Sequence, residues 1–186
     1  MSLHFLRHLE TCASAAGLCY GVSDVPARTA PSAELVDQVL ALEPQVVVSS
    51  DLQRCRLLAE QVAPPRAPVQ IDARWRERDF GEWEGRSWDD IYRETPSDIE
   101  KLMSADFAPT GGESLASVRK RVAAALADLP KVHPILIISH GGPIALARLA
   151  LAGLPLEAAA QYIPATGEIV TRPIAAHDLQ GRVGQL

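Results

Sequence analysis

Short apolar runs alternate along this chain with longer segments in which apolar residues recur every three or four positions. The runs cover residues 3–6, 46–48 and 135–138, and the last is continuous enough for a strand buried on both faces of a parallel sheet. Each of the first two runs is followed by a segment with helical periodicity. This order predicts an α/β fold of three layers, with a mostly parallel sheet between helices on both faces.

Three segments have the periodicity of amphipathic helices. Residues 32–42 read SAELVDQVLAL, residues 51–63 read DLQRCRLLAEQVA, and residues 114–129 place leucine and valine side chains on one stripe. Asp51 is predicted to cap the start of the second helix, which ends before Pro64. Pro130 stops the third.

Residues 74–112 differ in composition from the rest of the chain. They hold all three tryptophans, many charged residues and two helix starts, at Ser87 and at Thr95 with Pro96 in the first helical position. We interpret them as an inserted lid segment, with the tryptophans in its own small core. A chain of 186 residues suits one hydrophobic core, so residues 1–186 are predicted to form a single domain.

Composition excludes several classes of partner. The formal net charge is -5, and no block of lysine and arginine suggests nucleic acid as the main partner. No apolar run approaches the roughly 18 to 20 residues that span a bilayer. Three cysteines without CxxC spacing fit neither a disulfide framework nor a zinc site. These observations predict a soluble protein, in no contact with membranes, in a reducing cytoplasm, and they leave the oligomeric state open.

Polar side chains follow all three apolar runs. The first ends at Arg7 and His8, the second at residues 49–51 with Arg54 one turn into the next helix, and the third at His140 within SHGGP. Because the carboxyl ends of parallel strands meet at one edge of a sheet, we expect these side chains to converge. The paired N–H groups of arginine match phosphate oxygens. Gly141 and Gly142 let the backbone approach an anion closely, and the free amides of a helix that starts near Pro143 would face it. The sequence therefore predicts a site for a small phosphorylated metabolite.

The same residues carry a resemblance to a known family. LRHLET resembles the Arg-His-Gly-Glu signature of the histidine phosphatase superfamily, also called phosphoglycerate mutase-like, and the match continues in order through SSDLQRCRLLAE, RERDFGEWEGRSW, GGES and ISHGGP. GLCYGVSDVP and DFGEWEGRSWDDI are similar to its α-ribazole-phosphate phosphatase branch, which acts in assembly of the lower ligand of cobalamin. The resemblance implies a phosphatase for α-ribazole 5′-phosphate that needs no cofactor.

The resemblance also implies roles for individual residues. His8 would be the nucleophile that becomes phosphorylated, with Arg7 and Arg54 holding the phosphoryl oxygens and His140 donating to the same group. Glu77, in RERDFG, would protonate the leaving oxygen and then deprotonate water. Such a site must lower the barrier by on the order of 20 kcal/mol or more, through positioning and charge neutralisation. A salt-bridge network with the surrounding arginines is the rival interpretation of Glu77.

Further residues are expected around the substrate. Gly141 and Gly21 are predicted to contact the phosphate, and Tyr20 and Trp83 to line the mouth of the site. Cys19 either lines that mouth or is a small buried hydrophobe, which is the commoner outcome. No metal is implied, since no two histidines have ligand spacing and the two arginines already supply positive charge. His4, His133 and His177 have no motif around them and are interpreted as structural or exposed.

One position departs from the family pattern. The residue after His8 is glycine in the signature and Leu9 here. If that position required a positive φ, leucine would be strained by roughly 1 to 2 kcal/mol. A non-catalytic relative that only binds phosphorylated ligands is therefore one alternative, and a phosphoglycerate mutase or a broad-specificity phosphatase is another.

Overall fold

A five-stranded sheet forms the centre of the computed structural model, which describes residues 2–173. Its strands are β1 Ser2–Arg7, β2 Val46–Ser49, β3 Val69–Ile71, β4 Ile135–Ser139 and β5 Ile169–Pro173. They lie in the order β3-β2-β4-β1-β5, and all neighbours are parallel except β5, which runs antiparallel to β1. His177 lies outside the described residues.

Helices cover both faces of the sheet. Within residues 2–173 the α-helices are α1 Cys12–Ala15, α2 Ala33–Ala41, α3 Gln53–Val62, α4 Trp88–Glu94, α5 Pro96–Lys101, α6 Leu115–Ala127 and α7 Gly141–Ala152, and three 3₁₀ helices span Ala73–Trp75, Gly81–Trp83 and Leu156–Tyr162. No helix in this part of the chain is long and apolar enough to cross a membrane.

The alternation of side chains along the strands produces two cores. On β4, Ile135 and Ile137 pack with α6 and α7, while Leu136 and Ile138 pack in a second cluster with α2 and α3. All five residues of β4 are buried, as the continuous apolar run predicts. The predicted three-layer α/β/α fold with a mostly parallel sheet is confirmed.

The first residues of the helices show where a local capping residue is enough to predict the start of a helix. Ser87 caps α4 as predicted, and Ser114 caps α6 in the same way, since the side chain of each accepts a backbone N–H three residues on. The prediction that Asp51 caps α3 is wrong. That helix begins at Gln53, whose N–H donates to the Asp24 carboxylate at 2.7 Å, and Asp51 instead pairs with Arg76. A carboxylate brought from a distant loop replaces the local cap.

The lid segment has its own small core, in which Trp83 and Ile91 pack with Cys19, Trp88 and neighbouring apolar side chains. Cys19 is thus a buried hydrophobe. The prediction that all three tryptophans lie in this core is wrong for one of them. Trp75 packs in the main core, with its ring centroid 6.4 Å from that of Phe5.

Arg78 joins distant parts of the lid segment to one another and to Glu113, the residue that follows it. Its side chain is 4% exposed, and its three nitrogens donate to the backbone carbonyls of Leu102, Phe107 and Glu113 at 2.7 to 2.8 Å. A buried guanidinium bonded in this way fixes three loop positions at once.

Candidate active site

A cavity of about 330 Å³ opens at the carboxyl ends of β1 and β4. It is lined by six of the eight residues predicted to be catalytic or to bind substrate: Arg7, His8, Tyr20, Arg54, Glu77 and Gly141. Gly21 and His140 lie behind this lining. The prediction that Trp83 lines the mouth is wrong, because that ring is 5% exposed inside the lid core and Trp88 reaches the cavity instead.

His8 is a buried group of the cavity wall, with 2% of its surface exposed. It follows β1, and its Nδ1 lies 2.6 Å from the carbonyl oxygen of Leu9, which can only accept a hydrogen bond. The proton of the neutral ring is therefore on Nδ1, and Nε2 keeps its lone pair. Burial, together with the charges of Arg54 and Arg7, lowers the pKa of His8 to about 3 against the opposing effect of the Leu9 bond.

Two guanidinium groups flank this imidazole without a carboxylate partner. Among residues 2–173, no aspartate or glutamate oxygen lies within 4.0 Å of Arg7 or Arg54. Arg54 is 1% exposed, and Arg7 donates to the carbonyl of Pro164 at 2.7 Å while its buried Nε has no protein partner. A buried Arg54 and a partly buried Arg7 without carboxylate partners suit a dianion such as a phosphoryl group.

His140 stands directly behind Arg54. Its ring centroid is 5.1 Å from that of His8, but the side chain is fully buried and does not line the cavity. Nδ1 accepts a hydrogen bond from Arg54 Nε at 3.2 Å, which places the ring proton on Nε2, 2.9 Å from Ser50 Oγ. Burial lowers the pKa of His140 well below its usual value. In this geometry His140 orients Arg54.

Gly21 supports Arg54 and is not among the residues that line the cavity. Its carbonyl accepts from Arg54 Nη2 at 2.6 Å, and the carbonyl of Ser23 accepts from Nη1 at 2.7 Å. A Cβ at Gly21 would lie 1.8 Å from the carbonyl oxygen of Arg78, so only glycine fits. Tyr20 stacks on the same guanidinium, 5.2 Å from ring centroid to Cζ.

Glu84 organises this loop, a role that the sequence analysis missed. Its carboxylate accepts hydrogen bonds from the backbone N–H groups of Gly21, Val22, Ser23 and Phe80 at 2.9 to 3.2 Å and from the Ser23 hydroxyl. Burial alone would raise the pKa of Glu84, but these hydrogen bonds hold it below its usual value. Nothing in the local sequence distinguishes Glu84 from Glu82, the other glutamate of the GEWEG turn.

The carboxyl group of Glu77 lies against the amino-terminal end of α7. Its Oε2 accepts from the N–H of Gly142 at 3.1 Å and its Oε1 from the N–H of Arg78 at 2.9 Å. A Cβ at Gly142 would lie 2.4 Å from Oε1, which explains a glycine there. Glu77 forms no ion pair with the described arginines, because Arg74 and Arg76 pair with aspartates. The salt-bridge interpretation of Glu77 is therefore wrong.

The ion pair between Arg121 and Glu113 supports the backbone around Glu77. Arg121 on α6 donates to the carbonyls of Arg74, Arg76 and Glu77 at 2.6 to 2.9 Å and pairs with the Glu113 carboxylate at 2.9 Å. The pair is partly buried, so it is little screened by solvent. Glu113, in the GGES motif, thus contributes to the position of Glu77 from a distance.

Leu9 is accommodated without strain. Of the residues that the structure describes, Glu43 is the one non-glycine with positive φ, so Leu9 has an ordinary backbone conformation. Its side chain points away from the catalytic cavity and packs against the core beside Gly167, whose N–H donates to the carbonyls of Arg7 and His8. Leucine thus fills space behind His8 and does not line the cavity.

Comparisons with known proteins agree with this geometry. The model of the histidine phosphatase superfamily (branch 1) matches residues 3–176. The adenosylcobalamin/alpha-ribazole phosphatase of Escherichia coli is 32% identical over 167 residues, covering 85% of this chain and 82% of that protein. The glucosyl-3-phosphoglycerate phosphatase of Mycolicibacterium vanbaalenii is 32% identical over 179 residues, covering 83% and 76%.

The crystal structure of the alpha-ribazole phosphatase from Shigella flexneri superposes with a TM-score of 0.81 at 29% identity, over 95% of this chain and 92% of that one. The family match covers the strands, the cavity and the lid segment together. The relatives named above are phosphatases. The chain therefore belongs to the histidine phosphatase superfamily, branch 1, and is a phosphatase enzyme.

Proposed function

We propose that the protein hydrolyses small phosphate monoesters in two steps through a phosphohistidine at His8. In the first step the Nε2 lone pair attacks phosphorus while the ester P–O bond breaks. The leaving oxygen takes the proton of the Glu77 carboxyl group and departs as an alcohol. Arg7 and Arg54 neutralise the phosphoryl oxygens throughout, with His140 holding Arg54 in place.

The second step restores the enzyme. The Glu77 carboxylate accepts a proton from water as the water oxygen attacks phosphorus, and the N–P bond breaks. Its electron pair returns to Nε2, and inorganic phosphate leaves. Each step needs one proton transfer at Glu77, and no other reactant than water enters.

The hydrogen bond from His8 Nδ1 to the Leu9 carbonyl carries this proposal. It orients the imidazole with the free nitrogen opposite the bonded one, while burial and the charges of Arg54 and Arg7 keep the ring neutral. Two unpaired guanidinium groups at the same place would be costly without an anion to bind. A nucleophile and an anion site on one wall support phosphoryl transfer to histidine.

Within this chemistry we assign α-ribazole 5′-phosphate as the substrate, which would place the enzyme in assembly of the lower ligand of cobalamin. The motifs GLCYGVSDVP and DFGEWEGRSWDDI and the relatives from Escherichia coli and Shigella flexneri support it. The Mycolicibacterium relative, at the same 32% identity, is named for a different ester. A comparison of turnover of different phosphate esters therefore tests the assigned substrate.

The test compares phosphate release from α-ribazole 5′-phosphate, p-nitrophenyl phosphate and 3-phosphoglycerate by the wild type, His8→Ala and the control His133→Gln. We expect kcat/KM to fall by ~10⁴-fold or more in His8→Ala and to be unchanged in the control. Rapid quenching of the wild type should trap acid-labile phosphate on His8. Full activity in folded His8→Ala protein contradicts the mechanism.

The panel also separates the alternatives. Efficient hydrolysis of the α-ribazole ester supports the assigned substrate, and release from p-nitrophenyl phosphate alone supports a broad-specificity phosphatase. Conversion of 3-phosphoglycerate to 2-phosphoglycerate without phosphate release identifies a mutase. Binding of the esters without turnover would support a non-catalytic relative.

A further inference from the structure

A second cavity adjoins the catalytic one. It has a volume of about 190 Å³ and lies between the lid segment and helices α6 and α7. The two cavities share parts of their walls, among them Glu77, Phe80, Trp88 and Ile163. Because Glu77 lies at the junction, a phosphate ester whose phosphorus faces His8 would direct its alcohol portion past the proton donor into this second space.

The wall of the second cavity is apolar except at two side chains. Methyl and thioether groups such as those of Met103, Leu146 and Ala159 form most of it. Arg78 reaches this wall, but each of its nitrogens already donates to a backbone carbonyl. The other polar group in this wall is the carboxyl group of Glu77. In the described part of this wall, a carboxylate would therefore find no cation other than Arg78, which is already bonded to three carbonyls.

The size of the cavity indicates what could occupy it. An apolar protein cavity of about 150 Å³ is enough to hold benzene. The present volume, about 190 Å³, therefore accommodates a planar ring system. Ile163, at the shared mouth, is 42% exposed, and a bound ring would cover part of this apolar side chain.

We infer that the second cavity binds the leaving group, and that the enzyme selects phosphate monoesters whose alcohol carries an uncharged planar ring over those whose alcohol carries a carboxylate. The inference rests on the proposed function and specifies the substrate class of the same site. A carboxylate buried here would lie near Glu77 and would have to compete with three backbone carbonyls for Arg78, while a ring would replace water against apolar side chains.

The test uses three primary alkyl esters, so that the intrinsic reactivity of the leaving group changes little. They are 2-phenylethyl phosphate, ethyl phosphate and O-phosphoserine. We expect kcat/KM for 2-phenylethyl phosphate to exceed that for ethyl phosphate by about 10-fold or more, as filling an apolar pocket does. O-phosphoserine should fall below ethyl phosphate. A wild-type enzyme that hydrolyses O-phosphoserine as well as 2-phenylethyl phosphate overturns the inference.

Met103 offers a pair of variants for the same question. It is partly buried at the end of the lid segment, outside any helix or strand. Met103→Lys should lower the ratio of 2-phenylethyl to ethyl phosphate turnover about 10-fold and raise turnover of O-phosphoserine, while ethyl phosphate changes little. Met103→Leu, which conserves volume, should keep the wild-type order. An equal loss on all three esters in Met103→Lys contradicts a leaving-group site.

The inference and the proposed function fail in different ways. If no ester is hydrolysed in a His8-dependent manner, the proposed function is wrong. The binding of 2-phenylethyl and ethyl phosphonate, measured by calorimetry on the wild type and Met103→Lys, then still tests the cavity. Tighter binding of the phenyl compound, lost in Met103→Lys, supports the inference, and equal binding of the two compounds overturns it.

Discussion

Arg54 donates its Nε–H to Nδ1 of His140 across 3.2 Å, and both side chains are almost completely buried. Since a guanidinium can only donate, the imidazole must present an unprotonated nitrogen to it. His8 has the complementary arrangement, with Nδ1 donating to a carbonyl. The bond from Arg54 therefore requires a neutral His140, and burial beside two arginines keeps His8 neutral as well. Several measurable properties follow from this and from the surrounding contacts.

Acid should destabilise the fold through His8. Its pKa lies at about 3 in the folded state against 6.5 in the unfolded chain, so the unfolded chain binds more protons between these values. The stabilisation is complete above pH 6.5 and is lost as the pH falls toward 3. From pH 7 to pH 5 the free energy of unfolding should fall by about 2 kcal/mol more in the wild type than in His8→Asn, measured by urea denaturation. Equal falls would contradict the neutral buried ring.

Replacement of Glu84 should weaken phosphate binding without touching the cavity. Glu84→Gln removes a charged acceptor from four backbone N–H groups, so the loop whose carbonyls hold Arg54 loosens. We expect the inhibition constant of inorganic phosphate and the KM to rise about 10-fold, and the free energy of unfolding to fall by about 2 kcal/mol. Glu82→Gln, an exposed neighbour, is the control. Unchanged phosphate inhibition would exclude this role of Glu84.

The role of Glu77 can be separated by the leaving group. Glu77→Gln removes the proton donor, which alkyl phosphates need and p-nitrophenyl phosphate, with its good leaving group, needs far less. Alkyl ester turnover should fall by about 10² to 10⁴-fold. With p-nitrophenyl phosphate, stopped-flow absorbance should show a burst of nitrophenolate, since the second step lacks its base. Similar losses on both esters without a burst would contradict the assignment.

Leu9→Gly restores the family residue and tests whether leucine impairs the enzyme. Leu9 packs behind the nucleophile with ordinary backbone geometry, so kcat/KM should stay within about 3-fold of the wild type. Loss of the buried side chain and the added freedom of glycine should lower the free energy of unfolding by about 2 kcal/mol. A large gain of activity in Leu9→Gly would instead support the view that leucine marks a poorly catalytic relative.

Chelators should leave activity unchanged. The positive charge at the phosphoryl site is supplied by two arginines, so the proposed steps need no Lewis acid. Incubation with EDTA, followed by desalting and assay of phosphate release, should give the untreated rate. Inactivation that added Mg²⁺ or Zn²⁺ reverses would overturn this prediction.

The central strands and the catalytic cluster could be predicted because strong patterns mark them. The run at residues 135–138 is apolar throughout, and the polar residues after it stand where parallel strands end. β3 and β5 escaped prediction because they are edge strands of three and five residues, half exposed, without a continuous apolar run. Their pairing depends on the strands already in place.

The supporting contacts could not be read from local sequence because they join distant positions. Asp24 caps α3 across 29 residues, Glu84 binds a loop more than 60 residues earlier, and Arg121 holds the backbone of Glu77 from another helix. Each is a charged side chain in an unremarkable local context. Only the folded arrangement shows that these residues bond to backbone groups of the site.

The hydrogen bonds between the end of β1 and residues 164–167 have a consequence for the synthesis of the chain. Arg7 and His8 are made well before the groups that hold them, because Pro164, which binds the Arg7 side chain, lies 157 residues after Arg7. The N–H of Gly167, which bonds to the carbonyls of Arg7 and His8, is made later still. A growing polypeptide therefore exposes His8 without these contacts until residues 164–167 have emerged, and we expect the proposed phosphoryl transfer to begin only after that.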